Sequence, residues 1–258
     1  MKPLFLDNVQ NLITRFSDER YVNTQLHSRG LEAVEKWDSF FKFTKNIVCR
    51  HYSPNHLQRY LLVVDQFRNF FGENILDVGS RNNILAKLLK KKCSLVDKNN
   101  LELPAFDWES ERLPYRECAF DTVVCLDTLE HINDLHQSFD DLLRVTGKHL
   151  IISLPNCWRK TTKEFLKGRG SSASYGLSPE KPFDRHKWFM NAEDITNFIF
   201  YRSAVSTPRF SVKKIIYYIP KTTRVHAWLY PLVKIFLPER YFKNIFVHTV
   251  FVCLEKVK

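Results

Sequence analysis

The stretch Asn74-Ile75-Leu76-Asp77-Val78-Gly79-Ser80-Arg81-Asn82-Asn83 constrains this chain more than any other. An apolar run ends in an acid, a glycine turn follows, and Ile84 to Lys92 continues at helical spacing. A second short run, Leu95-Val96-Asp97, ends in another acid eighteen positions after Gly79. In a nucleoside-binding α/β fold this layout has a mechanical meaning. The glycine lets the backbone approach a ligand closely. The second acid stands where a carboxylate takes both ribose hydroxyls.

The 258 residues suffice for one large domain, or for one domain with a cap, and a 44% hydrophobic content supports a sizeable core. The 39 basic residues exceed the 28 acidic ones, for a net charge of +11. That excess favours phosphates, nucleic acids and anionic membrane surfaces. Six cysteines (Cys49, Cys93, Cys118, Cys125, Cys157 and Cys253) form no CxxC pair and no Cys/His cluster of zinc spacing, so no metal is expected. Cys93, Cys125 and Cys253 fall on expected strands as small apolar residues, which suits a reducing, cytoplasmic compartment. Met1 to Asp7 carries no long apolar core or small-residue cleavage site, so no signal peptide is expected. No run of eighteen apolar residues signals a membrane span.

Residues 1 to about 70 read as helical. Leu4, Val9, Leu12, Ile13 and Phe16 recur at helical spacing, as do Leu31, Val34, Trp37, Phe40 and Phe41, then Leu57, Tyr60, Leu61, Val64, Phe67 and Phe71. This gives an N-terminal helical cap over 1–71 and a core domain over 72–258. From Gly72 the pattern becomes strand–helix alternation. Strands are predicted at 74–79, 93–97, 104–107, 121–126 and 148–154, and helices at 83–92, 134–146 and 191–203. Such alternation makes a parallel sheet covered on both faces. Asn191 followed by Glu193 and Asp194 caps the last helix.

The segment 156–190 interrupts the alternation with Gly168-Arg169-Gly170 and two prolines, and reads as a long loop or lid. Two further strands are read at Phe210–Ile219 and Ile245–Glu255. The apolar excursion 225–242 between them holds Trp228, Leu229, Tyr230, Leu232, Val233, Ile235, Phe236 and Leu237 beside Lys234 and Arg240. It reads either as an interfacial membrane element or as a buried cover, and Pro231 and Pro238 limit helix length there.

Two more motifs complete the series. Phe106-Asp107-Trp108-Glu109, with Leu113-Pro114-Tyr115, puts a carboxylate and an aromatic at a third strand end, suited to an adenine amino group and ring face. Phe120-Asp121-Thr122-Val123-Val124-Cys125-Leu126-Asp127-Thr128-Leu129-Glu130-His131-Ile132 is a fourth strand ending in a polar loop, at the edge where open α/β sheets bind ligands. The order of these motifs, closed by His149-Leu150-Ile151-Ile152-Ser153-Leu154-Pro155-Asn156, resembles the class I S-adenosylmethionine (SAM)-dependent methyltransferases. The branch it is most similar to holds small-molecule methyltransferases such as those of ubiquinone biosynthesis. The resemblance covers roughly 72–200.

That resemblance implies an α/β, Rossmann-like, doubly wound sheet of seven strands with the last antiparallel. It implies SAM as cofactor. Asp77 and Gly79, with Ser80 and Arg81 beside them, would line its methionine part, and Asp97 would hold the ribose. Asp107 and Trp108 would flank the adenine, and Leu126 and Asp127 would run along the cofactor. Two glycines usual in the family's first loop are Arg81 and Asn83 here. Asparagine tolerates left-handed geometry. Arg81 either faces solvent, pairs with the SAM carboxylate, or obstructs the site.

Methyl transfer needs a nucleophile aligned with the methyl group and, for oxygen acceptors, removal of a proton. His131, just past the fourth strand, suits a general base, or else anchors the helix start. In the lid, Tyr175 and the run Pro182-Phe183-Asp184-Arg185-His186-Lys187-Trp188 offer Asp184, Arg185 and His186 for holding or deprotonating an acceptor. A salt-bridged turn before the helix at 191 is the competing role.

The expected partner is a small or conjugated acceptor, first a sugar or cell-envelope glycan precursor, with a lipid or quinone as the variant that the apolar excursion suggests. In that variant the protein would be peripheral to a membrane. Nucleic acid fits less well: there is no Asn/Asp-Pro-Pro-aromatic motif, no catalytic cysteine pair and no appended RNA-binding module. A degenerate SAM-fold partner subunit and an NAD dehydrogenase are the remaining alternatives. The glycine fingerprint of the latter is incomplete.

Overall fold

A computed structural model describes residues 47–51, 57–80, 83–97, 108, 111–168, 174–177, 179–182, 184–221 and 237–257. All belong to one compact unit beginning at Ser39. In chain order its elements are β1 (Ile47–His51), α1 (Leu57–Phe67), β2 (Ile75–Val78), α2 (Ile84–Leu89), β3 (Cys93–Val96), β4 (Phe120–Leu126) and α3 (Leu135–Val145). They continue with β5 (Thr146–Pro155), α4 (Cys157–Leu166), α5 (Ala192–Val205), β6 (Phe210–Lys221), α6 (Glu239–Phe246) and β7 (Thr249–Lys256).

The strands form one sheet in the order β1-β6-β7-β5-β4-β2-β3. β7 runs antiparallel to both β5 and β6, and every other pair is parallel. The chain steps outward from β2 to β3 and returns to the other side of β2 for β4. That reversal opens a crevice at the carboxyl ends of these strands, where open α/β sheets take ligands.

Side chains alternate between the two faces, as the pleat requires. Ile75, Val124, Ile151, Phe251 and Cys253 pack with Tyr60, Leu62, Val63 and Phe67 of α1 and Leu85 of α2. Leu76, Val78, Val123, Cys125, Leu150, Ile152 and Val252 pack with Phe139, Leu142 and Leu143 of α3 and with Ile195 and Ile199 of α5. Both faces are covered, so β2, β4 and β5 read as continuous apolar runs rather than alternating ones.

Several expectations are corrected. Residues 47–51, read as helical, are strand β1, which pairs with β6 from Ile47↔Tyr217 to His51↔Lys221. Pairing along a sheet edge overrides local helical spacing, and the β-branched Ile47 and Val48 suit it. α1, read as part of a cap, is a covering layer of the sheet itself. The rest of the cap, up to residue 46, and the strand predicted at 104–107 lie outside the described residues, so the observed seven strands are not the expected seven.

The lid is not all loop, because its first ten residues after Asn156 are helix α4. The Asn156 side chain accepts from Trp158 N and donates to the carbonyls of Asn244 and Val247, both at 2.8 Å. One buried amide therefore starts α4 and closes the end of α6. Pro238 begins a helix rather than ending one. It is the N-cap of α6, which includes Ile245 and Phe246, assigned above to a strand. Proline at a helix start loses no helical hydrogen bond. Of the excursion 225–242, residues 225–236 lie outside the described residues. Asn191 caps α5 as read, and Asp194 completes a capping box by accepting from Asn191 N–H. No described helix is long and apolar enough to cross a membrane.

Candidate active site

The crevice begins at β2. Register pairs Val78 with Val96 of β3 and with Cys125 of β4, so Gly79, Asp97 and Asp127 emerge at one edge. Gly79 N–H donates to Val96 O at 2.7 Å, which clips the first turn to the second strand. Gly79 holds φ +79°, and a Cβ there would meet Thr128 Oγ1 at 2.2 Å. Only glycine fits both the backbone angle and the space. Asn83 starts α2 at φ 51°. This left-handed position explains why asparagine can stand where the family has glycine. Arg81 and Asp107 lie outside the described residues.

Asp77 is fully buried on the α1 face. Neither of its carboxyl oxygens, nor Ser80 Oγ, has a hydrogen-bond partner. Burial pushes its pKa up to about 7, against the opposing influence of the Ser80 and Tyr60 hydroxyls, which stand near it without bonding geometry. The carboxylate of Asp97, also buried, raises it further. A buried acid with two empty acceptor oxygens is the binding half of an ammonium site. A ligand's amino group would supply the other half, so the residues present fit the methionine end of the cofactor that the resemblance implies.

Asp127 is held at φ 46°. Its carboxylate pairs with Arg59 Nη1 of α1 at 3.0 Å and accepts from Ser153 Oγ of β5 at 2.5 Å. Leu126 is buried in the α1-side core. Arg59 and Tyr60 were missed in the sequence reading, which took α1 as cap. Their adjacency on the first turn of a helix preceding β2 was the available signal. Trp108 is buried against the opposite face of the sheet, in the cluster that contains Val96, Leu113 and Leu129.

The second half of the site lies past β4. Leu129–His131 form a single 3-10 turn. The lid is latched onto it, with Lys187 N–H donating to Glu130 O at 2.7 Å and Trp188 Nε1 to Ile132 O at 2.8 Å. This latch brings His131 together with Asp184, His186 and Tyr175 of the lid, which the sequence offered as a separate candidate, and adds Glu130. His131 Nδ1 stands 2.7 Å from Asp184 Oδ1 in a close charge contact. The His131 and His186 rings meet edge to face at 4.7 Å. Tyr175 Oη is 2.7 Å from His186 Nδ1 and also contacts Cys157 Sγ. Burial, followed by the neighbouring His131 and Lys160, pushes His186 down to about 4, so it is neutral at physiological pH. Arg185 donates to Gly176 O.

Residues 76–151 match the family described as a methyltransferase domain. Among solved structures, a SAM-dependent methyltransferase from Archaeoglobus fulgidus aligns over 78% of this chain and 95% of its own, at 13% identity and TM-score 0.53. A SAM-dependent methyltransferase from Thermotoga maritima aligns over 78% and 92%, at 15% identity and TM-score 0.46. No curated protein matches the chain. The Archaeoglobus likeness supports the fold. The chain has a Rossmann-like α/β fold like that of the Archaeoglobus SAM-dependent methyltransferase, and its residues 76–151 are similar to a methyltransferase domain.

Proposed function

We propose that the protein transfers the SAM methyl group to a hydroxyl of a small or conjugated acceptor, first a sugar or cell-envelope glycan precursor. The observation that carries this reading is the polar cluster of Glu130, His131, Tyr175, Asp184 and His186 beyond the end of β4. Such a cluster suits an oxygen-rich acceptor better than an apolar one. In the transfer the acceptor oxygen forms a bond to the methyl carbon while the sulfur–methyl bond breaks. The sulfur keeps the electron pair, leaving S-adenosylhomocysteine, and the hydroxyl proton departs. Activation of that hydroxyl is assigned to His131 and His186. The remaining roles are Asp77, Gly79 and Ser80 for the methionine end, Asp97 for the ribose, Asp107 and Trp108 for the adenine, Leu126 and Asp127 along the cofactor, and Tyr175, Asp184 and Arg185 around the acceptor. Arg81 is assigned to the methionine carboxylate.

The catalytic fold comprises 72–258 together with α1 and β1, behind the helical segment read at the N-terminus. A lipid-linked or quinone acceptor is the second reading, favoured by the apolar composition of 225–242, which would then lie against a membrane. Incubation with methyl-labelled SAM and a panel of sugars, envelope precursors, quinones and RNA tests the assignment. Label in the sugar class is expected, and label confined to quinone or RNA would overturn it. For the cofactor end, Asp97→Ala should weaken SAM binding by about 1–3 kcal/mol, because two ribose hydroxyls lose their acceptor. Unchanged affinity in calorimetry would remove the ribose assignment.

A further inference from the structure

Glu130, His131 and His186 each offer a donor atom, and the three atoms lie within 4.8 Å of one another. The expectation from sequence was that no metal is bound, since no spacing pattern joins residues 130–131 to 186. The lid latch makes the cluster. The geometry points to a divalent transition-metal site formed by these three side chains at the acceptor end of the crevice.

Three independent features support it. The first is the way the imidazoles are held. His131 Nδ1 faces Asp184 Oδ1 at 2.7 Å, and His186 Nδ1 faces Tyr175 Oη at 2.7 Å. The His186 ring is thereby oriented through Nδ1, while the His131 ring has the Asp184 carboxylate beside its Nδ1 without a hydrogen bond. Metal-bound histidines are fixed as His186 is, by a partner on the other ring nitrogen. Tyr175 can accept from Nδ1 and donate its own proton to Trp188 O at 3.2 Å.

The second feature is the carboxylate. Glu130 is 1% exposed, and its Oε2 has no hydrogen-bond partner. Its Oε1 stands 3.8 Å from His131 Nε2. Buried, unpaired carboxylates are costly, and a cation between this oxygen and the imidazoles would remove that cost. Asp127 and Asp184 add negative charge nearby, offset in part by Arg59 and Lys160.

The third is scale. Donors around a tetrahedral ion at ~2.1 Å stand ~3.4 Å apart, so side-chain shifts that bring the widest pair in by up to about 1.4 Å close the set. Two imidazoles and one carboxylate suit zinc, iron, manganese or cobalt better than magnesium or calcium. Three protein ligands leave open positions, which acceptor oxygens can fill. The inference rests on the methyltransferase reading and deepens it. His131 and His186 act as ligands rather than as free bases. The bound ion takes the acceptor hydroxyl oxygen, which lowers that hydroxyl's pKa. Its proton leaves to water on the side where Asp184, 41% exposed, opens to solvent.

The test uses the full chain stripped with chelator and titrated with Co²⁺, read by visible absorption and by melting temperature. The wild type should take one equivalent, show the bands of an imidazole-ligated ion, and melt higher with Co²⁺. Glu130→Gln and His186→Gln should each weaken uptake at least tenfold and lose the melting shift. Glu130→Gln keeps the shape of a buried side chain whose Oε2 has no partner, so it should fold as well as the wild type. Asp184→Asn should weaken uptake by less than either. No uptake by the wild type, or equal uptake by the Glu130→Gln/His186→Gln double variant, would overturn the site. S-adenosylhomocysteine titration of the same samples keeps the two readings separate. Its binding should hold within twofold throughout, and its absence would count against the methyltransferase reading while the Co²⁺ result still decides the cation site.

Discussion

Replacing Asp77 with asparagine is expected to stabilise the free protein and to weaken SAM binding in the same variant. Asp77 is buried with no partner for either carboxyl oxygen, and its pKa rises from 3.8 to about 7. The unfolded chain releases this proton near pH 3.8, whereas the fold keeps it to about pH 7. The group's contribution is therefore fully present below pH 3.8 and is lost as pH rises through 7. Over that window the loss is about 4 kcal/mol. Asparagine does not ionise, so the variant should escape it. A gain of ~1–3 kcal/mol is expected near pH 8, less than the full amount because the amide is also left without partners. Melting at pH 5 and pH 8 checks this: the gap between variant and wild type should widen at the higher pH. SAM affinity should fall by ~10- to 100-fold, the scale of a lost charge-assisted hydrogen bond. In the wild type, affinity should improve from pH 6 to pH 8 as Asp77 ionises. A pH-independent gap in melting temperature would show that the carboxyl is not held protonated by the fold.

Gly79→Ala carries the second large effect. A side chain at φ +79° costs ~1–2 kcal/mol. The new Cβ also meets Thr128 Oγ1 at 2.2 Å, which forces the β4 turn to move at a further ~1–3 kcal/mol. The same turn carries Asp127 and leads into Glu130 and His131, so both halves of the site shift together. Loss of ~2–5 kcal/mol of stability and of measurable SAM binding is expected. Gly168→Ala is the matched control: its φ is +74°, but nothing lies within 4 Å of the added Cβ. It should show the backbone cost alone and bind SAM normally. Equal damage from both substitutions would mean that Thr128 yields easily and that the glycine serves the turn only.

The strands that carry the site were legible because each is a continuous apolar run ending in a polar turn. Asp77, Gly79, Asp97 and Asp127 could be placed at one edge from order alone, and parallel register does bring them there. What escaped the sequence depended on contacts far along the chain. β1 forms because β6 offers an edge some 170 positions later, which no local window reports. α4 was hidden behind the glycines that follow it, although Asn156 signals its start. Arg59 and Tyr60 joined the site only once α1 proved to be a layer of the fold. Glu130 passed for a polar residue in a loop. Its burial and its proximity to His186 come from the latch of Lys187 and Trp188 onto the 3-10 turn.

Calorimetric titration with SAM and S-adenosylhomocysteine, with NAD as control, tests the central claim most directly. The roles proposed for Asp77 at the amino group and Asp97 at the ribose, side by side in one crevice, predict micromolar binding of both sulfur nucleosides and none of NAD. Absence of binding by either sulfur nucleoside, or preference for NAD, would contradict it.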